Sequence, residues 1–253
     1  MSAVHLTLAG EWMQCAQSAH CSLPYHVPEI TVEEARALPA PFLDALIEII
    51  DPPEYDASGH KIWRHPETTR LHRDYGLPAM ILKHGNRLWY QNGQQHNLIG
   101  PAVVYPNGRT EWWHHGRKHR DDDLPSVRSP SGTLEWWTEG ELQRDGDNPA
   151  VVHTDGKQEW WQQSKRHRDN DLPAIIAADG TLEWYWQGNQ HREEDKPAYL
   201  RADGSAIWYR HGQIHRGDGK PAAISMTPDG QLRYAEWWED GKLVASRHYP
   251  PSK

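Results

Sequence analysis

The chain has 253 residues, with 14 Trp and 10 Tyr against one Phe, and a net charge of −8. So few aliphatic side chains exclude an oil-like core, and apolar burial must come mostly from aromatic rings, each carrying roughly 150–250 Å². Two cysteines exclude a disulfide framework, and no apolar run is long enough for a membrane span.

The charge is uneven. Residues 1–55 hold eight acids (Glu11, Glu29, Glu33, Glu34, Asp44, Glu48, Asp51, Glu54) and one base, Arg36. The remaining 198 residues hold 26 bases and 27 acids, so no basic patch suggests general nucleic-acid binding. No positive segment precedes an apolar one at the N-terminus, so no secretory signal is expected, and the expected location is cytoplasmic.

Residues 1–55 form a separate N-terminal segment. Thr31-Val32-Glu33-Glu34 has the capping-box pattern, with Thr31 as N-cap and Glu34 at the third helical position. Pro39 and Pro41 would break a continuous helix, so two short helices are predicted. The second presents Phe42, Leu43, Leu46, Ile47 and Ile50 on one side, a stripe suited to capping the following sheet or to binding a partner. Cys15, His20, Cys21 and His26 are spaced C-x4-H-C-x4-H. Cys and His are zinc ligands, but adjacent His-Cys ligands are awkward. The set reads as two thiols and two surface histidines, and no metal or cofactor is expected.

From about residue 56 to 249 the chain repeats itself. Prolines recur at 78, 101, 125, 149, 173, 197 and 221, and tryptophans at 63, 89, 112, 136, 160, 184 and 208. Each of these tryptophans lies four residues after a glycine. Every unit of about 24 residues carries two turn signals, such as Asp155-Gly156 and His115-Gly116. Asn-Gly and Asp-Gly suit type I′ turns, which need positive φ at both central residues. Two turns per unit leave strands of six or seven residues, with Pro opening one of each pair. Residues 250–253 are a short tail.

Centring a hairpin on residues 115–116 places Trp112 opposite His119 and Glu111 opposite Arg120. The same rule gives Glu135–Arg144, Glu159–Arg168 and Glu183–Arg192, a cross-strand ladder worth under about 1 kcal/mol per pair. Histidines 119, 167, 191 and 215 each fall opposite a Trp. The other hairpin is expected to pair Trp112 with Val103, Trp160 with Val151 and Trp184 with Ile175. Side chains alternate faces, so the first Trp column is predicted to form the core at about 3 kcal/mol per ring. The opposite face gathers Tyr90, Trp113, Trp137, Trp161, Tyr185 and Tyr209 with Glu111, Glu135, Glu159 and Glu183. Half of the case for this second column is packing against long neighbours. The other half is an exposed binding stripe.

Units such as DGTLEWYWQGNQHREEDKPAYL (Asp179–Leu200) resemble variant MORN repeats, hairpin modules with aromatic-rich strands. The His-Arg-acid-Pro-Ala form is similar to repeats of bacterial, phage and large-virus proteins, including antitoxin-like ones. The resemblance covers about residues 56–249. It implies an elongated single-layer antiparallel sheet of successive hairpins and a platform role, binding proteins and in some members lipids. The chain departs from the usual pattern in its longer unit and in the Arg that follows the His. Extra residues at Met226–Pro228 and Arg233–Glu236 read as a distorted C-terminal cap or a grafted loop.

No G-x-S-x-G elbow, phosphate-binding glycine loop or H-E-x-x-H motif is present, and no enzyme is expected. The favoured function is a protein-binding platform for a basic protein partner, recognised through cation–π contacts and charge pairing. The resemblance extends this to an inhibitory, immunity or antitoxin-like role, or phage counter-defence. Two alternatives stand: a glycan- or membrane-surface-binding module that stacks ligands on its aromatic ladder, and a structural scaffold that forms homo-oligomers through sheet edges.

Overall fold

The computed structural model describes residues 51–250 except Tyr75, together with two short strands, Val4–Leu6 and Trp12–Gln14, that pair antiparallel. The helices expected over 31–50 and the Cys15/His20/Cys21/His26 set lie outside the described residues. All the elements among the described residues are β-strands. The chain divides into two compact units: Met1–Pro106 with Trp113–Gly116, and Asn107–Trp112 with Arg117–Lys253.

Each unit carries an antiparallel ladder in chain order. In the first, Glu54–Tyr55, Lys61–Ile62, Met80–Ile81, Arg87–Leu88 and Val103–Val104 pair in succession. In the second, twelve strands run from Thr110–Glu111 to Lys242–His248. Each full repeat also throws out a second, two-stranded hairpin. Examples are Tyr90–Gln91 with Gln94–Gln95, Trp137–Thr138 with Glu141–Leu142, and Trp161–Gln162 with Lys165–Arg166.

The expected strands of six or seven residues are therefore split. Glu159 belongs to the long ladder and Trp161 to the side hairpin, and Trp160 joins them. Its backbone keeps both connections: Trp160 N–H donates to the Ala174 carbonyl at 2.8 Å, and its carbonyl accepts from His167 N–H at 3.2 Å. The tryptophan is thus the corner of each repeat. The expected position of His opposite Trp holds here, and likewise for His119, His191 and His215.

The two turns differ in kind. The side-hairpin turns have two residues with positive φ, as at Asn92-Gly93 (51° and 83°), Glu139-Gly140 (51° and 87°) and Gln187-Gly188 (50° and 91°). This matches the type I′ expectation. The Asp-Gly turns contain three residues, not two. His153 N–H bonds to the Lys157 carbonyl, Gly156 N–H bonds back to the His153 carbonyl, and only Gly156 has positive φ. The Asp155 carboxylate caps Lys157 N–H at 2.9 Å.

That extra residue corrects the expected register. Val151 pairs with Glu159, not Trp160, and Ile175 pairs with Glu183, not Trp184. A one-residue slip exchanges the faces of a strand, so turn length decides what each hairpin buries. The residues that broke the period near the C-terminus lengthen strands instead of forming a loop alone. Ala223–Met226, Leu232–Glu239 and Lys242–His248 form the longest ladder, with register shifts at Ser225/Met226 and Trp237/Trp238.

The core follows the first Trp column. Trp63, Trp136, Trp160, Trp184 and Trp208 are buried, and Trp89 and Trp112 are half-buried. Beside them, Ala79, Ala102, Ala150, Ala174, Ala198 and Ala222 are completely buried. Each accepts the backbone N–H of the Trp in its own corner. The Pro-Ala dipeptide thus places a side chain no larger than a methyl where the chain bends closest.

The turns offer a graded test. A Cβ at Gly156 would meet nothing within 4 Å, whereas one at Gly132 would lie 2.5 Å from Thr154 Cγ2. Both glycines have positive φ. Gly156→Ala should destabilise by about 1–2 kcal/mol, the backbone term alone. Gly132→Ala should cost more. Urea unfolding of both variants would check the order.

Candidate protein-binding face

A clip that joins consecutive repeats frames the face. Asp147 accepts the Trp160 indole N–H on its carbonyl at 3.3 Å. Its carboxylate accepts Arg168 Nε at 2.6 Å and Nη2 at 2.7 Å. The Arg168 guanidinium lies 3.7 Å from the Trp160 ring centroid, and its Nη1 donates to the Pro173 carbonyl at 3.3 Å. The same set recurs as Asp123/Trp136/Arg144/Pro149, Asp171/Trp184/Arg192/Pro197 and Asp195/Trp208/Arg216/Pro221. In the first unit, Asp51, Trp63, Arg73 and Pro78 repeat it.

These contacts correct the expected Glu–Arg ladder. Arg144, Arg168, Arg192 and Arg216 each pair with an aspartate 21 residues earlier, in the preceding repeat, because the chain diverges at the Trp corner before Glu and Arg can face each other. Arg120 instead lies over Trp112 and donates to the Pro125 carbonyl. The aspartates sit in strained loops. Asp122-Asp123, Asn170-Asp171 and Glu194-Asp195 all have positive φ, a conformation that costs ordinary residues roughly 1–2 kcal/mol each. It directs the aspartate carbonyl to the indole and the carboxylate to the guanidinium. Hydrogen bonds from Arg192, then Lys196, outweigh burial and draw the Asp171 carboxyl down to about 2. Arg216 and Lys220 draw Asp195 down further.

The expected stripe residues are all at least half-buried. In the first unit, Tyr90 and Trp113 are half-buried. In the second, Trp137, Trp161, Tyr185 and Tyr209 are half-buried, Glu135 and Glu183 likewise, and Glu111 and Glu159 are buried. Glutamate and aromatic share a face, as alternation requires: Trp137 Nε1 donates to Glu135 at 2.8 Å, Trp161 Nε1 to Glu159 at 3.2 Å and the Tyr185 hydroxyl to Glu183 at 2.9 Å. Burial, then Glu183, pushes the Tyr185 hydroxyl up to about 12.

Internal cations occupy much of this stripe. Glu159 meets Lys157, Arg166 and His153 at 2.7, 3.3 and 3.1 Å. Burial works to raise its carboxyl, but Lys157, Arg166 and His153 together hold it below the usual value. Glu111 meets Arg109 and Lys118. Lys118 Nζ lies 4.7 Å from the Trp137 ring and the Arg166 guanidinium 4.9 Å from the Trp161 ring. Much of the cation recognition expected of a partner is thus already made within the chain.

Beside the stripe lies a concavity that sequence reasoning missed. In the second unit, a 240 Å³ pocket is lined by residues including Asp121, Leu124, Trp137 and Arg144. Two repeats on, a 220 Å³ pocket is lined by the matching Asp169, Leu172, Tyr185 and Arg192. The first unit has a 260 Å³ counterpart that includes Asp74, Tyr90 and Asn97. The acids on the rims reach outward: the side chains of Asp121, Asp169 and Glu193 are 83%, 60% and 81% exposed. The signal lay in the acid that follows His-Arg at Asp74, Asp121, Asp169 and Glu193.

The repeat histidines tie neighbouring side hairpins together. His72, His119, His167, His191 and His215 each accept on Nδ1 a backbone N–H from the next repeat's side-hairpin turn. For the first four, Nε2 meets an acid two residues on: Asp74, Asp121, Asp169 and Glu193. In the worn repeat, the copy from Glu135 to Val151, Gln143 stands where the others have His, and its Oε1 replaces the imidazole and accepts Gln163 N–H at 3.2 Å. Burial, then His115 and His114, holds the His96 imidazole below its usual pKa.

No family model and no curated protein matches the chain. No helix among the described residues is long and apolar enough to cross a membrane.

The depressed Asp171 and Asp195 set a pH dependence. A carboxylate whose folded pKa lies below its unfolded value of about 3.9 contributes stability above that value and loses it as pH falls toward the folded pKa. Acid unfolding should therefore steepen between about pH 4 and pH 2. The Asp171→Asn/Asp195→Asn variant should be less stable at pH 7, by about 1 kcal/mol per site given their exposure. It should also show a flatter profile below pH 4. Thermal melts across that range would check both.

Proposed function

We propose that the repeats form a non-enzymatic, MORN-like platform that binds a protein partner through Lys and Arg side chains. An inhibitory or immunity role by sequestration fits such a surface, since it needs no catalytic step. The recurring pocket carries this reading. At matching positions it sets a half-buried ring (Tyr90, Trp137 or Tyr185) beside an acidic loop. Aromatic faces next to carboxylates suit cationic side chains through cation–π attraction and charge pairing. The strand glutamates are largely engaged by internal cations, so the loop acids Asp121, Asp169 and Glu193 would meet the partner's charge. The helices read over 31–50 would cap the first hairpins.

Peptide arrays offer a direct test with the full chain. Extended peptides carrying Arg or Lys should bind more tightly than neutral or acidic ones, and salt should weaken them. Trp137→Ala/Tyr185→Ala, shown to be folded by thermal melting, should lose roughly tenfold in affinity, about the scale of a desolvated cation–π contact. Asp121→Asn/Asp169→Asn/Glu193→Gln should lose a similar factor. Equal binding of neutral peptides, or affinity indifferent to both sets of changes, would exclude this surface.

A further inference from the structure

Two of the repeat histidines lack an acid two residues on: His215, which is followed by Gly217, and His96. His96 is buried and accepts His115 N–H on Nδ1 at 3.3 Å, as its counterparts do. Two residues on, however, stands Leu98, where His72, His119, His167 and His191 have an acid. The turn it braces carries two further histidines, His114 and His115, both exposed. Corresponding positions in other repeats hold Gln91-Asn92, Thr138-Glu139, Gln162-Gln163, Trp186-Gln187 and Arg210-His211, and in none of these are both residues His.

The three rings cluster. The His96 and His115 rings stack at 4.5 Å, His114 lies 5.0 Å from His96, and His114 and His115 are 4.4 Å apart. One nitrogen from each ring lies within 4.8 Å of the other two. Among the described residues, no other group of three His, Cys, Asp or Glu side chains is gathered in this way.

We propose that His96, His114 and His115 form a binding site for a divalent transition-metal ion of the zinc, nickel and copper type. Imidazole nitrogen is the ligand these ions favour, and three protein ligands with a water in the fourth position form a common open zinc site. Burial fixes His96, while the exposed rings of His114 and His115 turn to close on an ion at about 2.0–2.1 Å. The Nδ1 electron pair of His96 that accepts the His115 N–H is the pair the metal takes. That hydrogen bond is long, and the released N–H lies in an exposed turn, where water replaces its acceptor. All three ligands belong to the first compact unit.

The chain itself supplies gentle substitutions for the test. His96→Gln copies Gln143, which keeps the brace without an imidazole. His114→Gln/His115→Asn copies Gln91-Asn92, where Asn92 has the same positive φ as His115. Calorimetric titration of the full chain with zinc chloride should show one equivalent bound in the micromolar range or tighter, with a rise in melting temperature. Each variant should melt like the parent without metal and lose at least about tenfold in zinc affinity. Cys15→Ser/Cys21→Ser should keep the site, which separates it from the N-terminal Cys/His set. Absence of zinc binding would overturn the assignment. So would affinity unchanged in either histidine variant, or binding abolished only by the cysteine changes.

Discussion

The architecture depends on an aspartate, present at five junctions, that does two things at once. Its carbonyl holds the indole N–H of the next repeat, and its carboxylate holds the arginine that covers that indole. Without this bond a buried indole N–H would be left without an acceptor, a loss of roughly 1–3 kcal/mol. Both partners lie in the following repeat, so the loop that carries the aspartate is a hinge pin between neighbours. Repeat proteins draw much of their stability from such nearest-neighbour terms. Here that term is polar and stacked as well as apolar, which suits a chain poor in aliphatic side chains.

The clip also explains a loop that sequence propensity alone would disfavour. Two consecutive residues with side chains adopt positive φ in Asp122-Asp123, Asn170-Asp171 and Glu194-Asp195. In the worn repeat, Gly146 takes the first of these places, and Asp147 is absent from the residues of positive φ. There the indole bond is 3.3 Å, against 2.9 Å in its neighbours. The conformation that looks costly is the one that aims the carbonyl.

Much of the fold was legible because the period is strict. The hairpins, the Trp core and the His-opposite-Trp relation follow from the spacing of Gly, Trp and Pro. The register did not, because Asp155-Gly156 signals a turn without stating whether the turn holds two residues or three. The arginine partners were hidden for a different reason. In a perfect repeat, an acid 9 residues before the arginine and one 21 residues before it recur equally often, and only the bend at Trp160 chooses between them. The candidate face was half legible. Alternation correctly joined Trp137 to Glu135 and Trp161 to Glu159, but the cations between them and the pockets beside them need three dimensions.

Departures from the repeat are informative because the structure shows which ones preserve a contact. Gln143 replaces a histidine and still accepts the turn N–H. Ser164 replaces the turn glycine, keeps positive φ, and accepts Leu142 N–H on its hydroxyl at 3.0 Å. Those substitutions hold the frame. Leu98 in place of an acid and the paired imidazoles of His114-His115 do not compensate one another as hydrogen-bond partners. They instead change the chemistry presented at a single turn. Where a regular array keeps its brace but gathers three imidazoles around it, packing supplies no reason, and the reason is to be sought in what the imidazoles can hold.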